Sequence, residues 1–166
     1  YLMGHSGGSF LGMHAVAKAP QLYHAYVGVA QMANQLRSEK QAYDYMLARC
    51  REEHRSALTR RLEAAPVTLE HGVDPKYYRV RDTAMHTLGV GTMRQMRSVV
   101  TGLVLPSLRN RDDTLAEKIN LWRGKAAMGV SSMWKEMLAT DLAEQIPSVD
   151  VPVYFLHGAH DYTCTY

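Results

Sequence analysis

The chain has 166 residues, 46% of them hydrophobic and 21% charged, with a net charge of +3. This is ordinary usage for one compact globular domain; the charge is too mild to argue for a nucleic-acid partner, and no apolar run approaches a membrane span. The two cysteines, Cys50 and Cys164, form no metal or redox motif and fit a reducing compartment, so a cytoplasmic location is the expectation.

Tyr1-Leu2-Met3 reads as the tail of a buried strand, residues 1–4, and runs into Gly4-His5-Ser6-Gly7-Gly8. That is G-x-S-x-G at the seam between an apolar run and a helix-like segment, where a nucleophilic serine elbow belongs. A serine at the tip of a sharp strand-to-helix turn has a strained backbone, and side chains two residues to either side would collide, so Gly4 and Gly8 answer a steric demand. The turn lifts the hydroxyl above the sheet. It also aims the first amides of the next helix, that of Gly7 among them, at the spot where an oxyanion would develop. The plainer reading of these residues is a Gly/Ser-rich turn that only joins a strand to a helix.

In the helix that follows, Leu11, Ala15 and Lys18 recur at helical spacing, Gly12 and Ala17 are small enough to pack closely on a sheet, and Pro20 ends the run. Ala25-Tyr26-Val27-Gly28-Val29 begins a second strand, residues 25–30. From about Asn34 to Gln145 the pattern is helical. Leu36, Tyr43, Met46 and Cys50 mark a helix over 34–54, a second piece occupies 55–64, and Pro66 breaks it. Arg49, Arg51, Arg55, Arg60 and Arg61 cluster there, but Glu52, Glu53 and Glu63 are interleaved, which reads as a solvated face. Asp74-Pro75 would cap and open the next helix, with Val80, Ala84 and Leu88 on its face and Gly89 and Gly91 at its end. A helix from Arg94 to Leu105 would be closed by Pro106. Thr114-x-x-Glu117 is a capping box ahead of Leu115, Ile119, Leu121 and Trp122. A last helix is expected near Ser132 to Leu142.

The chain returns to β pattern at Val151-Pro152-Val153-Tyr154-Phe155-Leu156, a strand over 151–157, and then reads His157-Gly158-Ala159-His160-Asp161. An acid in the loop after a late parallel strand is where a serine hydrolase of this layout keeps the carboxylate that orients its histidine, and Asp161 is the candidate. As a lone residue after glycine it could equally be an Asx-type turn.

Taken together, the GHSGGS segment, the helix ending at Ala19-Pro20, the strand from Ala25 and the final strand-Gly-x-x-Asp segment resemble the second half of an α/β-hydrolase. The matching segments cover about a quarter of the chain by rough count. With its long helical insertion the layout is similar to proline iminopeptidase-like and related capped serine hydrolases. The resemblance implies an α/β fold: a partial parallel sheet of about three strands, with core segments at 1–33 and 149–166 and a helical cap over 34–148. It also implies Ser6 as nucleophile, Asp161 as the orienting acid, the Gly7 N–H as an oxyanion donor, and cleavage of an ester or amide through an acyl-enzyme without cofactor or metal. The substrate would be a small molecule or short peptide, by aminopeptidase or carboxylesterase action, with no nucleic-acid partner and no membrane span. The oligomeric state is left open.

Two parts of that pattern are not met. The family's triad runs serine, acid, histidine, and none of the five residues after Asp161 is a histidine; the oxyanion loop that precedes the elbow would lie upstream of Tyr1. Of the eight histidines, His5 and His157 read as wall or packing residues, and His160 adjoins Asp161 too closely for a base relayed by its acid. The expectation is an internal piece of a longer protein, inactive alone. A different class, a ligand-binding receptor or pseudoenzyme on the same scaffold, is the alternative. Tyr43, Tyr45, Met46, Met93, Met96 and Met133, with Trp122 and Trp134, could line an adaptable pocket or simply form the core of the helical block. Proline iminopeptidase-like enzymes hold a substrate ammonium with lid carboxylates, and Asp112, Asp113 and Glu117 lie in a suitable segment, without a motif that ties them to that role.

Overall fold

A computed structural model describes residues 1–90, 96, 98, 100–128 and 133–165. Three short strands, β1 (Leu2–His5), β2 (Tyr26–Val29) and β5 (Val153–Leu156), form a parallel sheet in the order β1-β2-β5. The register aligns His5 with Val29 and Val29 with Leu156, so the three strands end side by side. The ladder continues one residue further: the Ser6 N–H donates to Val29 O at 3.0 Å and the Ala30 N–H to Leu156 O at 2.9 Å. Whatever follows each strand therefore leaves the sheet at the same edge, which is where open parallel sheets hold their ligands.

Helix α1 (Gly7–Lys18) joins β1 to β2 and lies on the sheet. Its buried stripe is Phe10, Met13 and Val16, with Ser9 and Gly12 beside them, whereas Leu11, Ala17 and Lys18 are exposed. The face expected from Leu11, Ala15 and Lys18 is thus rotated away from the one that packs. Gly12 does pack as expected: a Cβ there would sit 2.7 Å from Cε2 of the buried Tyr26 ring.

Between β2 and β5 the described chain is helical apart from one small hairpin. Helix α2 (Gln35–Glu52) starts at Asn34, whose side chain accepts from the Arg37 N–H at 3.0 Å, and α3 (Ser56–Glu63) follows. Three of the five clustered arginines are paired locally, Arg49 with Glu52 and Glu53, Arg51 with Glu63, and Arg55 with Glu53. A two-residue antiparallel pair, β3 (Val67–Thr68) and β4 (Gly72–Val73), comes next, unforeseen because it is too short to show alternation.

Helix α4 (Tyr78–Leu88) begins three residues later than Pro75 suggests, because Asp74 instead closes a turn, its Oδ1 accepting from the Lys76 N–H at 2.7 Å. It ends at Gly89, whose φ of 68° is left-handed. Gly91, Met93, Arg94 and Ser132 lie outside the described residues. Pro106 opens a helix rather than closing one: after a π-helical turn at Val100–Val104, α5 (Leu105–Arg109) carries it in its first turn, where its missing N–H costs nothing. Helix α6 (Leu115–Met128) has the expected capping box, the Thr114 N–H donating to Glu117 Oε2 at 2.7 Å and the Glu117 N–H to Thr114 Oγ1 at 3.3 Å. Helices α7 (Met133–Ala139) and α8 (Leu142–Gln145) lead back to the sheet.

The buried side chains form two clusters. One lies within the helical block and includes Tyr43, Met46, Cys50, Leu62, Tyr77 and Val80; the other lies on the sheet and includes Phe10, Met13, Val16, Tyr26, Met137 and Cys164. Tyr43 and Met46 are therefore core residues of the block. Where the helical block leaves and rejoins the sheet layer its two ends are tied: Asn34 Nδ2 donates to Asp141 Oδ2 at 2.7 Å, and the Leu142 N–H to Ala33 O at 2.9 Å.

Candidate active site

Ser6 stands between the last residue of β1 and the first of α1, with φ 51° and ψ −125°. A left-handed φ on a non-glycine residue is unfavourable, and it is held here from both sides. The Ser6 N–H is fixed on β2, and the Ser6 carbonyl accepts from the Ser9 N–H at 2.8 Å and from Ser9 Oγ at 2.5 Å. Ser9 Oγ in turn accepts from the Met32 N–H at 2.9 Å, so the first turn of α1 is stitched to the loop after β2.

Beneath this turn lies a buried polar cluster. The Tyr26 hydroxyl is 2.9 Å from Ser9 O and 2.8 Å from Gln31 Oε1, while Gln31 Nε2 donates to Ser9 O at 3.2 Å and Met32 O at 3.1 Å. Burial pushes the Tyr26 hydroxyl up to about 12, which keeps it a neutral donor at any physiological pH. Neither Tyr26 nor Gln31 was singled out by sequence. Their partners lie 17 and 22 residues away, beyond any local pattern.

The two motif glycines differ. A Cβ on Gly4 would lie 2.6 Å from Ser9 Cα and 2.7 Å from Gly8 O, backbone atoms that cannot move aside, so the turn can close this tightly only over a hydrogen. At Gly8 a Cβ would meet nothing within 4 Å, and the expectation that Gly8 is sterically required does not hold among the described residues. Gly7 opens α1, and its N–H belongs to the first turn, which has no intrahelical acceptors.

Asp161 lies in the loop after β5, partly buried, on the same sheet edge as Ser6. Its N–H donates to Gly158 O at 3.0 Å, and its Oδ1 accepts from the Thr163 N–H at 2.7 Å and the Cys164 N–H at 3.1 Å. This is the Asx-type turn that the sequence allowed, and it holds one carboxylate oxygen at a fixed place. Cys164 links the two candidates. Its thiol is buried, pushed up to about 12 by that burial and by the charge of Asp161, with a side-chain hydrogen bond to Ser6 pulling the other way. The serine and the acid-bearing loop therefore meet at one thiol.

His5 and His160 are exposed and His157 is half-buried at the end of β5. Among the described residues no group of three or more His, Cys, Asp or Glu side chains could hold a metal ion, and no helix is long and apolar enough to cross a membrane. Of the proposed pocket-lining residues, Tyr45 stacks on Tyr162 at 4.1 Å between ring centroids, Met96 is buried, and Met133 and Trp134 pack against the sheet-side core. Asp112 is exposed and Asp113 half-buried in the bend before α6, and Glu117 stays in its capping box, none of them brought to the serine by any hydrogen bond or ion pair of the described residues.

Over 163 residues, 97% of this chain, the sequence is 25% identical to a protein of Bacillus subtilis (strain 168) named probable aminopeptidase YbaC, and the aligned stretch takes in 49% of that protein. The relationship is to a hydrolase-like protein. The chain spans about half the length of this curated relative. No family model matches the chain, and no solved structure matches it. The structure itself is mixed α/β, a three-stranded parallel sheet with eight α-helices among the described residues.

Proposed function

We propose that this chain carries the nucleophile and the orienting acid of a capped α/β-hydrolase that cleaves an ester or amide through an acyl-enzyme. The observation that carries the reading is the backbone of Ser6, left-handed at a strand-to-helix turn and pinned on both sides, in a chain that also presents a fixed aspartate at the same sheet edge. Strain of this kind persists where a side chain has to be held in one place, and a G-x-S-x-G serine at such a turn is the arrangement that activates a weak hydroxyl nucleophile.

In this mechanism Ser6 Oγ attacks the substrate carbonyl carbon while a histidine takes its proton. The tetrahedral oxyanion is held in part by the Gly7 N–H at the start of α1, and collapse expels the amine or alcohol, which receives that proton from the histidine. Water then releases the acyl group by the same steps in reverse order. Asp161, with Oδ1 occupied by two amides, offers Oδ2 to the imidazole and fixes its tautomer. The family's order of serine, acid and histidine puts that base after Asp161, where this sequence has none, so the histidine is to come from the full-length protein and the 166 residues alone are expected to be inactive. In this reading the helical block, whose α2 side chains bond the loop after Asp161, serves as the cap that excludes water and selects the substrate. The aminopeptidase name of the relative makes a peptide with a free amino terminus the first substrate class, and simple carboxylic esters the second.

The test is steady-state hydrolysis of aminoacyl and acyl chromogenic substrates by the full-length protein that contains this chain. Ser6→Ala should lower kcat by at least about a thousandfold, and Asp161→Asn by roughly a hundredfold or more. Hydrolysis that survives Ser6→Ala would remove the serine from the mechanism.

A further inference from the structure

Four hydrogen-bonding side chains of the helical block reach the loop that carries Asp161 or support those that do. On α2, Gln35 Nε2 donates to Thr163 O at 2.9 Å and to Glu39 Oε1 at 3.2 Å. One turn along, the Ser38 hydroxyl lies 3.0 Å from Thr165 Oγ1 and accepts from the Thr165 N–H at 3.3 Å. Glu39 itself is fully buried, and Arg81 of α4 grips its carboxylate with two nitrogens, Nε at 2.8 Å to Oε2 and Nη2 at 2.7 Å to Oε1. Burial opposes the charge on Arg81, but the hydrogen bonds and the charge of Glu39 outweigh it and hold the guanidinium firmly protonated. A two-pronged buried pair of this kind fixes direction as well as distance, and it orients the Gln35 amide that shares its oxygen.

The loop is the seam between the two cores. Tyr162 packs against the helical-block cluster and stacks on Tyr45 of α2, while Cys164, two residues on, is part of the sheet-side cluster and meets Ser6. Thr163 between them is held at both ends of its peptide groups, its carbonyl by Gln35 and its N–H by Asp161 Oδ1. A path of direct contacts thus runs from Arg81 through Glu39 and Gln35 to Thr163 and Asp161.

The geometry points to Gln35, Glu39 and Arg81 as positioning residues that lock the 161–165 loop, and with it Asp161 and Cys164, in register with Ser6. Their catalytic meaning rests on the serine-hydrolase reading above, whereas the lock itself does not. Its consequence is specific: weakening it frees this loop before it disturbs the rest of α2.

Two buried thiols make this measurable, Cys164 in the loop and Cys50 near the far end of α2. In the full chain, peptide-resolved alkylation by iodoacetamide follows each cysteine separately under native conditions. Gln35→Ala should raise the rate at Cys164 at least about tenfold and leave Cys50 unchanged, and Arg81→Lys, which keeps the charge but loses the two-pronged grip, should do the same to a smaller degree. An unchanged Cys164 in both variants, or equal acceleration at both thiols, overturns the lock, the second outcome being general loosening. In an active full-length protein Gln35→Ala should also lower kcat about tenfold with KM within twofold; an unaltered kcat would overturn the positioning role. If wild type shows no serine-dependent hydrolysis, the functional reading fails, and the thiol rates still decide the lock.

Discussion

Ser6 adopts a conformation that costs a non-glycine residue on the order of 1–3 kcal/mol, and the Ser9, Val29 and Met32 hydrogen bonds around it show how the fold sustains it. Replacing the side chain by nothing should relieve that strain. Ser6→Gly is expected to stabilise the protein by about 1 kcal/mol in chemical denaturation, while abolishing any activity. Gly4→Ala should do the opposite: its methyl would press on backbone atoms of Ser9 and Gly8, and a loss of about 2 kcal/mol or more is expected from the same measurement. Tyr26→Phe would remove the one hydroxyl proton that Gln31 Oε1 and Ser9 O share, and since Ser9 O keeps the Gln31 Nε2 donor, one buried acceptor loses its partner at a cost of about 1–3 kcal/mol. Of these features the sequence showed the glycine at position 4 and the strained serine, because a turn motif is local. It could not show the Tyr26–Gln31–Ser9 cluster or the Cys164 contact, which exist only once distant segments pack.

At the scale of elements, legibility followed the strength of the local chemistry. The capping box at Thr114 and Glu117 and the left-handed stop at Gly89 were readable because cap geometry is dictated by neighbouring residues. The buried face of α1 was not, since Leu11 and Phe10 are both apolar and the sheet decides which one it covers. Pro106 was ambiguous for the same kind of reason, as proline both ends one helix and suits the first turn of the next. The tie between Asn34 and Asp141 at the ends of the helical block yields a prediction with a sign. The Asn34 hydrogen bond, aided by the amides of Ala143 and Glu144, holds the Asp141 carboxyl below its usual value. Its contribution is therefore present above the unfolded carboxyl pKa of about 4 and is lost as the pH falls through the lower folded value. Wild type should lose stability over that acid window more steeply than Asp141→Asn. Asn34→Ala, which also removes the cap of α2, should cost about 1 kcal/mol at neutral pH, read by thermal unfolding.

For the whole molecule the sheet is the telling feature. Among the described residues both outer strands leave a ladder edge unpaired, and Tyr154, Phe155 and Leu156 of β5 are exposed, as are Met3 and, at 89%, Tyr1 beside β1. Parallel sheets are ordinarily covered on both faces, and open apolar edges invite pairing with other chains. The 166 residues expressed alone should self-associate and bind a hydrophobic dye, as read by light scattering and by dye fluorescence, and a monodisperse, dye-negative monomer would contradict this. The helical block, by contrast, has a buried core of its own around Tyr43, Met46, Leu62, Tyr77 and Val80.

The most direct test of the central claim is mapping of a fluorophosphonate adduct on the full-length protein by peptide mass spectrometry. One adduct is expected, on the peptide that contains Ser6, absent from Ser6→Ala and strongly slowed in Asp161→Asn. No adduct on that peptide, or an equal yield from Ser6→Ala, would contradict it and favour a binding protein built on the same scaffold.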